Sequence, residues 1–165
     1  MKRQKTNAAR LLDTAGTPYE LVPYEADEND LSAAHLSAQL GEEGGSVFKT
    51  LVLSGERTGH FVCVIPGDAE LDLKKAARAS GNKKCELIPV KELFAVTGYV
   101  RGGCSPLGMK KHFPTFLDEQ VWLWDAIHVS AGQRGLQLRI APADLLEQAE
   151  ATECDLCADR SFPTT

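Results

Sequence analysis

Aromatic residues are scarce, at 7% of 165 residues, and no apolar run approaches the roughly 18 residues of a membrane-spanning helix. The opening Met1-Lys2-Arg3-Gln4-Lys5-Thr6 is basic with no apolar stretch behind it, so no secretory signal is expected. A soluble, cytoplasmic protein is expected, with no membrane partner. There is no G-x-S-x-G elbow, no P-loop, no H-E-x-x-H and no dinucleotide fingerprint, so the commonest hydrolase, nucleotide and zinc-protease sites are missing. The four histidines (His35, His60, His112, His128) are scattered, and none marks itself as a general base. The five cysteines are odd in number and spread over different segments, which does not read as a disulfide framework and fits a reducing compartment. Cys154 and Cys157 make one C-x-x-C, but no second pair is spaced to complete a tetrahedral zinc site. No metal or other cofactor is expected.

What is present suffices for one core. A hydrophobic content of 43% over this length predicts a single domain across residues 1–165, with a flexible acidic tail over 150–165. The net charge of −5 is unevenly placed: the acids gather at the ends, while Lys and Arg outnumber Asp and Glu between Gly44 and Ile140. A phosphate-bearing partner is therefore allowed by the middle of the chain.

In chain order, Asn7 to Ala15 has helical spacing behind a Thr6 or Asn7 cap and stops at Gly16. Tyr19 to Tyr24 reads as a short strand whose Pro23 belongs near an edge, and the acidic Glu25 to Asp30 as a loop. Ser32 is a cap for a short helix with Ala33, Leu36 and Leu40 on one face and Gly41 at its end. Val47 to Leu53 and His60 to Ile65, joined by a glycine-bearing turn, predict two antiparallel strands. Asp72 caps a helix with Leu73, Ala76 and Ala77 inward and Lys74, Lys75 and Arg78 outward, ending at Gly81. A short strand at Lys84 to Leu87 is followed by a helix from Pro89 to Gly98. Thr115 to Asp118, Val121 to Trp124, Ala126 to Val129 and Leu136 to Ile140 read as strands, with Trp122 and Trp124 sharing a face, and Pro142 to Ala149 as the last helix. Without a βαβ rhythm, these elements predict a mixed α/β (α+β) fold whose sheet is largely antiparallel, with helices around it.

Two stretches hold the chemistry. Val47-Phe48-Lys49-Thr50-Leu51-Val52-Leu53 sets a lysine inside an apolar strand, where it either shares a solvated face with Val47 and Leu51 or serves a site. Tyr99 to Lys111 packs Gly102, Gly103, Gly108 and Pro106 together and ends in Lys110 and Lys111. It reads as a turn or as a loop that brings backbone N–H groups close to a ligand.

Four segments in this order carry a family resemblance: Phe48-Lys49-Thr50-Leu51, Leu71-Asp72-Leu73-Lys74-Lys75-Ala76-Ala77, Gly98-Tyr99 with Gly102 to Lys111, and Val129 to Leu136. Together they resemble the YbaK family, freestanding editing domains related to the insertion domain of bacterial prolyl-tRNA synthetase. The resemblance runs from about Asn7 to Ala149 and implies a barrel-like mixed sheet and hydrolysis of mischarged tRNA in trans, typically Cys-tRNA(Pro). Aminoacyl-tRNA is the implied substrate and prolyl-tRNA synthetase an implied partner.

By this resemblance Lys49 matches the essential lysine, and Tyr24, Thr50, Gly102, Gly103, Ser130 and Gln137 fall where substrate contacts lie. Gln137 stands where this branch often has aspartate, and Ser32 or its neighbours replace an aromatic. Both departures bear on amino-acid preference. Lys74, Lys75, Arg78, Lys110 and Lys111 are the candidates for tRNA phosphates. A fixed ammonium assisted by backbone N–H groups can stabilise the charge that develops when the ester is cleaved. Cys104 lies in the glycine loop but is not read as the nucleophile, because the family varies there; the family proposal is attack by the substrate's own thiol. The alternatives are a non-catalytic tRNA- or synthetase-binding module, or a deacylase of another small aminoacyl group such as Ala-tRNA(Pro).

Overall fold

The computed structural model describes residues 5–26, 29, 36 and 46–159. The helix expected behind Ser32 and the Gly44-Gly45 approach to the lysine strand lie outside the described residues. Among those described, no helix is long and apolar enough to cross a membrane.

Helix α1 (Asn7–Ala15) begins at Thr6, whose Oγ1 accepts the N–H of Ala9 at 3.2 Å, and buries Ala8, Ala9 and Leu12. β2 (Phe48–Gly55) and β3 (Gly59–Pro66) form the expected antiparallel hairpin, in register from Phe48–Pro66 to Gly55–Gly59. β4 (Cys85–Leu87) adds antiparallel to the outside of β2, while β5 (Thr115–Asp118) and β8 (Ala151–Cys154) extend the far side with parallel pairing. A second, antiparallel sheet runs in the order β1 (Glu20–Pro23), β7 (Leu136–Ile140), β6 (Ile127–Gln133), with Pro23 on the edge strand as the sequence predicts.

The single barrel-like sheet expected from the sequence is instead two sheets, not a closed barrel. Among the described residues they meet at one parallel bridge, Val47–His128. β6 carries a bulge between Ser130 and Gln133, and a bulge sharpens local twist, which accounts for pairing that does not propagate along β2.

Two apolar clusters result. Phe48, Val52, Val62 and Val64 from one sheet meet Val129, Ala131, Leu138 and Ile140 from the other, closed by Leu12 of α1. On the opposite face of the hairpin, Leu53, Phe61, Cys63 and Ile65 pack against Ala76 of α2 (Leu73–Ser80) and against Leu156 and Cys157. α3 (Val90–Thr97) and α4 (Pro142–Gln148) complete the shell.

Four expectations need correction. Residues 121–124 are not a strand: Glu119–Leu123 form a 3₁₀ turn started by Asp118, whose Oδ2 accepts the N–H of Gln120 at 3.0 Å. Trp122 is 49% exposed while Trp124 meets Phe48 edge-on at 5.9 Å, so the two tryptophans do not share a face. Leu73 does not turn inward but is 44% exposed, because Ala69 and Leu71 supply the apolar contact ahead of Ala76. Residues 151–159 are not a loose tail. They contribute β8, a bridge from Cys157 to Leu71, and a completely buried Leu156.

Candidate functional site

Side chains alternate along a strand, so the register decides which of the expected site residues can meet. The Val47–His128 bridge aligns β2 with β6, and two residues further along each strand come Lys49 and Ser130, on the same side. Ser130 pairs with Gln137 on β7, and Gln137 pairs with Val22 on β1. Tyr24 continues that ladder with its N–H donated to the carbonyl of Gly135 at 3.0 Å, two residues beyond Val22. One face therefore carries Lys49, Ser130 and Gln137, with Val22 and Tyr24 at its edge. Phe48, Val129 and Leu138 take the opposite side, in the inter-sheet core, as this alternation requires.

Lys49 is partly buried, whereas Ser130 and Gln137 are buried at 9% and 3% exposure. Gln137 Oε1 is enclosed and accepts no hydrogen bond among the described residues. A buried carbonyl left without a donor is uncommon, and beside a lysine and a serine it is a place for a ligand donor. Thr50 behaves differently. Alternation turns its side chain away from Lys49 toward Phe48 and Val52, and its Oγ1 is likewise buried without a partner. Its expected place beside Lys49 in a pocket is thus not shared by its hydroxyl.

The two glycine-bearing segments touch. A Cβ on Gly103 would lie 3.0 Å from Cα of Gln133 and 3.1 Å from the backbone N of Arg134, so the loop rests directly on the β6–β7 turn. Arg134 Nε donates to the carbonyl of Arg101 at 2.8 Å, next to Gly102, across the same contact. The loop is held from below by buried Tyr99, Cys104 and Leu107, with Tyr99 Oη donating to the Leu107 carbonyl at 2.7 Å. Gly103→Ala is expected to lower stability by about 1–3 kcal/mol, since backbone rather than flexible side chain must yield. Urea denaturation checks this, and a midpoint equal to wild type would show that the loop floats free of the turn.

Burial pushes the Cys104 thiol up to about 11, so it is protonated at neutral pH and is a poor nucleophile. A cavity of about 110 Å³ lies elsewhere, between α1, α4 and residues 106–113, and none of Lys49, Ser130 and Gln137 lines it.

The expected phosphate contacts divide. Lys74 and Arg78 are exposed on α2, and Lys110 and Lys111 are exposed at the end of the glycine loop. Lys75 is already committed within the chain: its Nζ donates to Asp155 at 2.9 Å, to Asp159 at 3.1 Å and to the Cys157 carbonyl at 2.8 Å. Those hydrogen bonds to Asp155 and Asp159 raise its pKa well above the ordinary lysine range.

The sequence profile of the aminoacyl-tRNA editing domain matches residues 27–147. The chain belongs to this family. Among its relatives is "Putative Cys-tRNA(Pro)/Cys-tRNA(Cys) deacylase EbsC" of Enterococcus faecalis, 53% identical over 144 residues that cover 87% of this chain and 88% of EbsC. YwhH of Bacillus subtilis, an uncharacterized protein, is 26% identical over 141 residues, 80% of this chain and 89% of YwhH. A crystal structure of "a putative trans-editing enzyme for prolyl tRNA synthetase" superposes with a TM-score of 0.82 at 27% identity, covering 95% of this chain and all of the other. The structure of APE2540 gives 0.85 at 21% identity over 93% of this chain, a likeness of fold alone.

For an editing domain, the residues sequence reasoning missed on the Lys49 face are Val22 and His128. The signal was available, since two-residue alternation in β1 and β6 places both beside residues already singled out.

Proposed function

We propose that this editing domain is an aminoacyl-tRNA deacylase that hydrolyses mischarged tRNA in trans, with Cys-tRNA(Pro) as its principal substrate and prolyl-tRNA synthetase as the source of that substrate. The observation that carries the reading is the alignment of Lys49 with Ser130 and the unpartnered Oε1 of Gln137 on one face. The Lys49 ammonium holds the terminal phosphate or ribose and polarises the ester carbonyl, where negative charge grows in the transition state. Gln137 Oε1 accepts a donor from the aminoacyl group, and as a neutral acceptor it holds an ammonium less strongly than an aspartate would. With the Cys104 thiol protonated, attack falls to the substrate's own thiol, which displaces the tRNA hydroxyl, or to water.

The test is deacylation of Cys-, Ala-, Ser- and Pro-tRNA(Pro) by the purified chain at micromolar concentration. Cys-tRNA(Pro) is expected to be hydrolysed fastest. If all four esters survive, the chain is not a deacylase; if Ala-tRNA(Pro) leads, the cysteine preference is wrong and the reaction class stands.

A further inference from the structure

We propose that the outer face of α3, together with the end of the glycine loop, binds the unpaired 3′ end of an RNA, with a base stacked on Phe94 and phosphates on Lys91, Lys110 and Lys111. This rests on the reading of the chain as a tRNA-directed enzyme and adds where the tRNA is gripped.

Phe94 and Val90 lie one helical turn apart and are 58% and 62% exposed, an apolar face that no part of the described chain covers. Lys110 lies across the Phe94 ring with Nζ 5.1 Å from its centroid, and its stem runs over Gly98. Lys91 stands three residues before Phe94 on the same helix, and so borders it. Glu92, two residues from Val90 and Phe94, does not share their face.

Among the described residues, no carboxylate pairs with Lys91, Lys110, Lys111, Arg101 or Arg134. An exposed ring bordered by Lys91 and Lys110, cations that no described carboxylate neutralises, matches a strand that offers a base face and phosphates together. Another exposed apolar pair, Trp122 and Leu123, shows the contrast. Its indole donates to Glu153, and Glu119 and Asp125 stand beside it in the chain, so it would repel phosphate. An unpaired end suits the α3 face better than a duplex, because stacking needs a base free of its neighbours.

The experiment is fluorescence anisotropy with an uncharged hairpin RNA bearing a single-stranded CCA tail, compared with the same hairpin made blunt. Wild type is expected to prefer the tailed hairpin. Phe94→Ala should weaken tailed binding roughly tenfold and leave blunt binding unchanged, with Phe94→Tyr restoring it. Lys110→Ala should reduce the slope of log affinity against log salt by about 0.7, one single-strand phosphate contact. Phe94→Ala binding equal to wild type, or an equal loss on tailed and blunt RNA, overturns the proposal. A face that instead served a protein partner would give the first of these results. Because the probe carries no ester, binding is read apart from hydrolysis. A chain that binds the tail through Phe94 but cleaves no aminoacyl ester would refute the deacylase reading alone.

Discussion

Lys49→Ala is expected to slow deacylation of Cys-tRNA(Pro) by roughly 10²–10³-fold, the usual loss when one group aimed at a developing oxyanion is removed. The substitution should do this without unfolding the protein. Lys49 is only partly buried, and the strand around it is held by Phe48, Val52 and Leu53, which alanine at 49 does not disturb. The split between rate and affinity separates the two roles of the ammonium. If it polarises the ester, the single-turnover rate falls and the substrate concentration for half-maximal rate stays put. If it only anchors phosphate, that concentration rises and the rate at saturation is kept. Lys49→Arg retains charge but replaces a point cation with a wider planar fork, and it should restore binding more than rate. Normal turnover by Lys49→Ala would remove the lysine from the site and with it the mechanism.

Elements set by local chemistry were legible in the sequence. Thr6 and Asp72 accept the N–H groups of their helices, and a glycine-bearing turn folds β2 back onto β3. The two-residue period also placed Lys49 with Val47 and Leu51. It could not show that the far end of this face, at Leu51 and Leu53, is covered, because α2 and residues 156–157 arrive from distant sequence. The partners of Lys75 are hidden for the same reason. It sits on a helix face that looks solvated, but its partners are residues 155–159, invisible to any local window. Residues 121–124 failed differently. Valine and two tryptophans suggest a strand, yet Asp118 immediately upstream has the side chain that starts a helical turn, and that local hydrogen bond outweighs β propensity. The family resemblance implies Thr50 as a substrate contact, whereas alternation along β2 puts its hydroxyl on the other face.

The C-terminal segment tests how far a composition can mislead. Its acidic residues suggest a solvated tail, but Leu156 is completely buried beside Phe61, Cys63 and Ile65, and its N–H donates to Asp118 Oδ1 at 2.9 Å. Leu156→Ala is expected to cost about 3 kcal/mol, from lost transfer energy plus the cavity left in a cluster that cannot close around it. The denaturation midpoint should fall with the slope unchanged, because the surface exposed on unfolding is the same. Ending the chain after Glu150 should be worse than the point substitution. It strips β8 from β5, leaving an open parallel edge, and strands the carboxylate of completely buried Asp118 without one of its two backbone donors. Such a protein is expected to aggregate or to lose its cooperative transition at 25 °C. Wild-type stability in Leu156→Ala and in the shortened chain would mean that this segment does not seal the second cluster. A loss confined to the shortened chain would assign the effect to the β8 ladder and to Asp118, and not to the leucine.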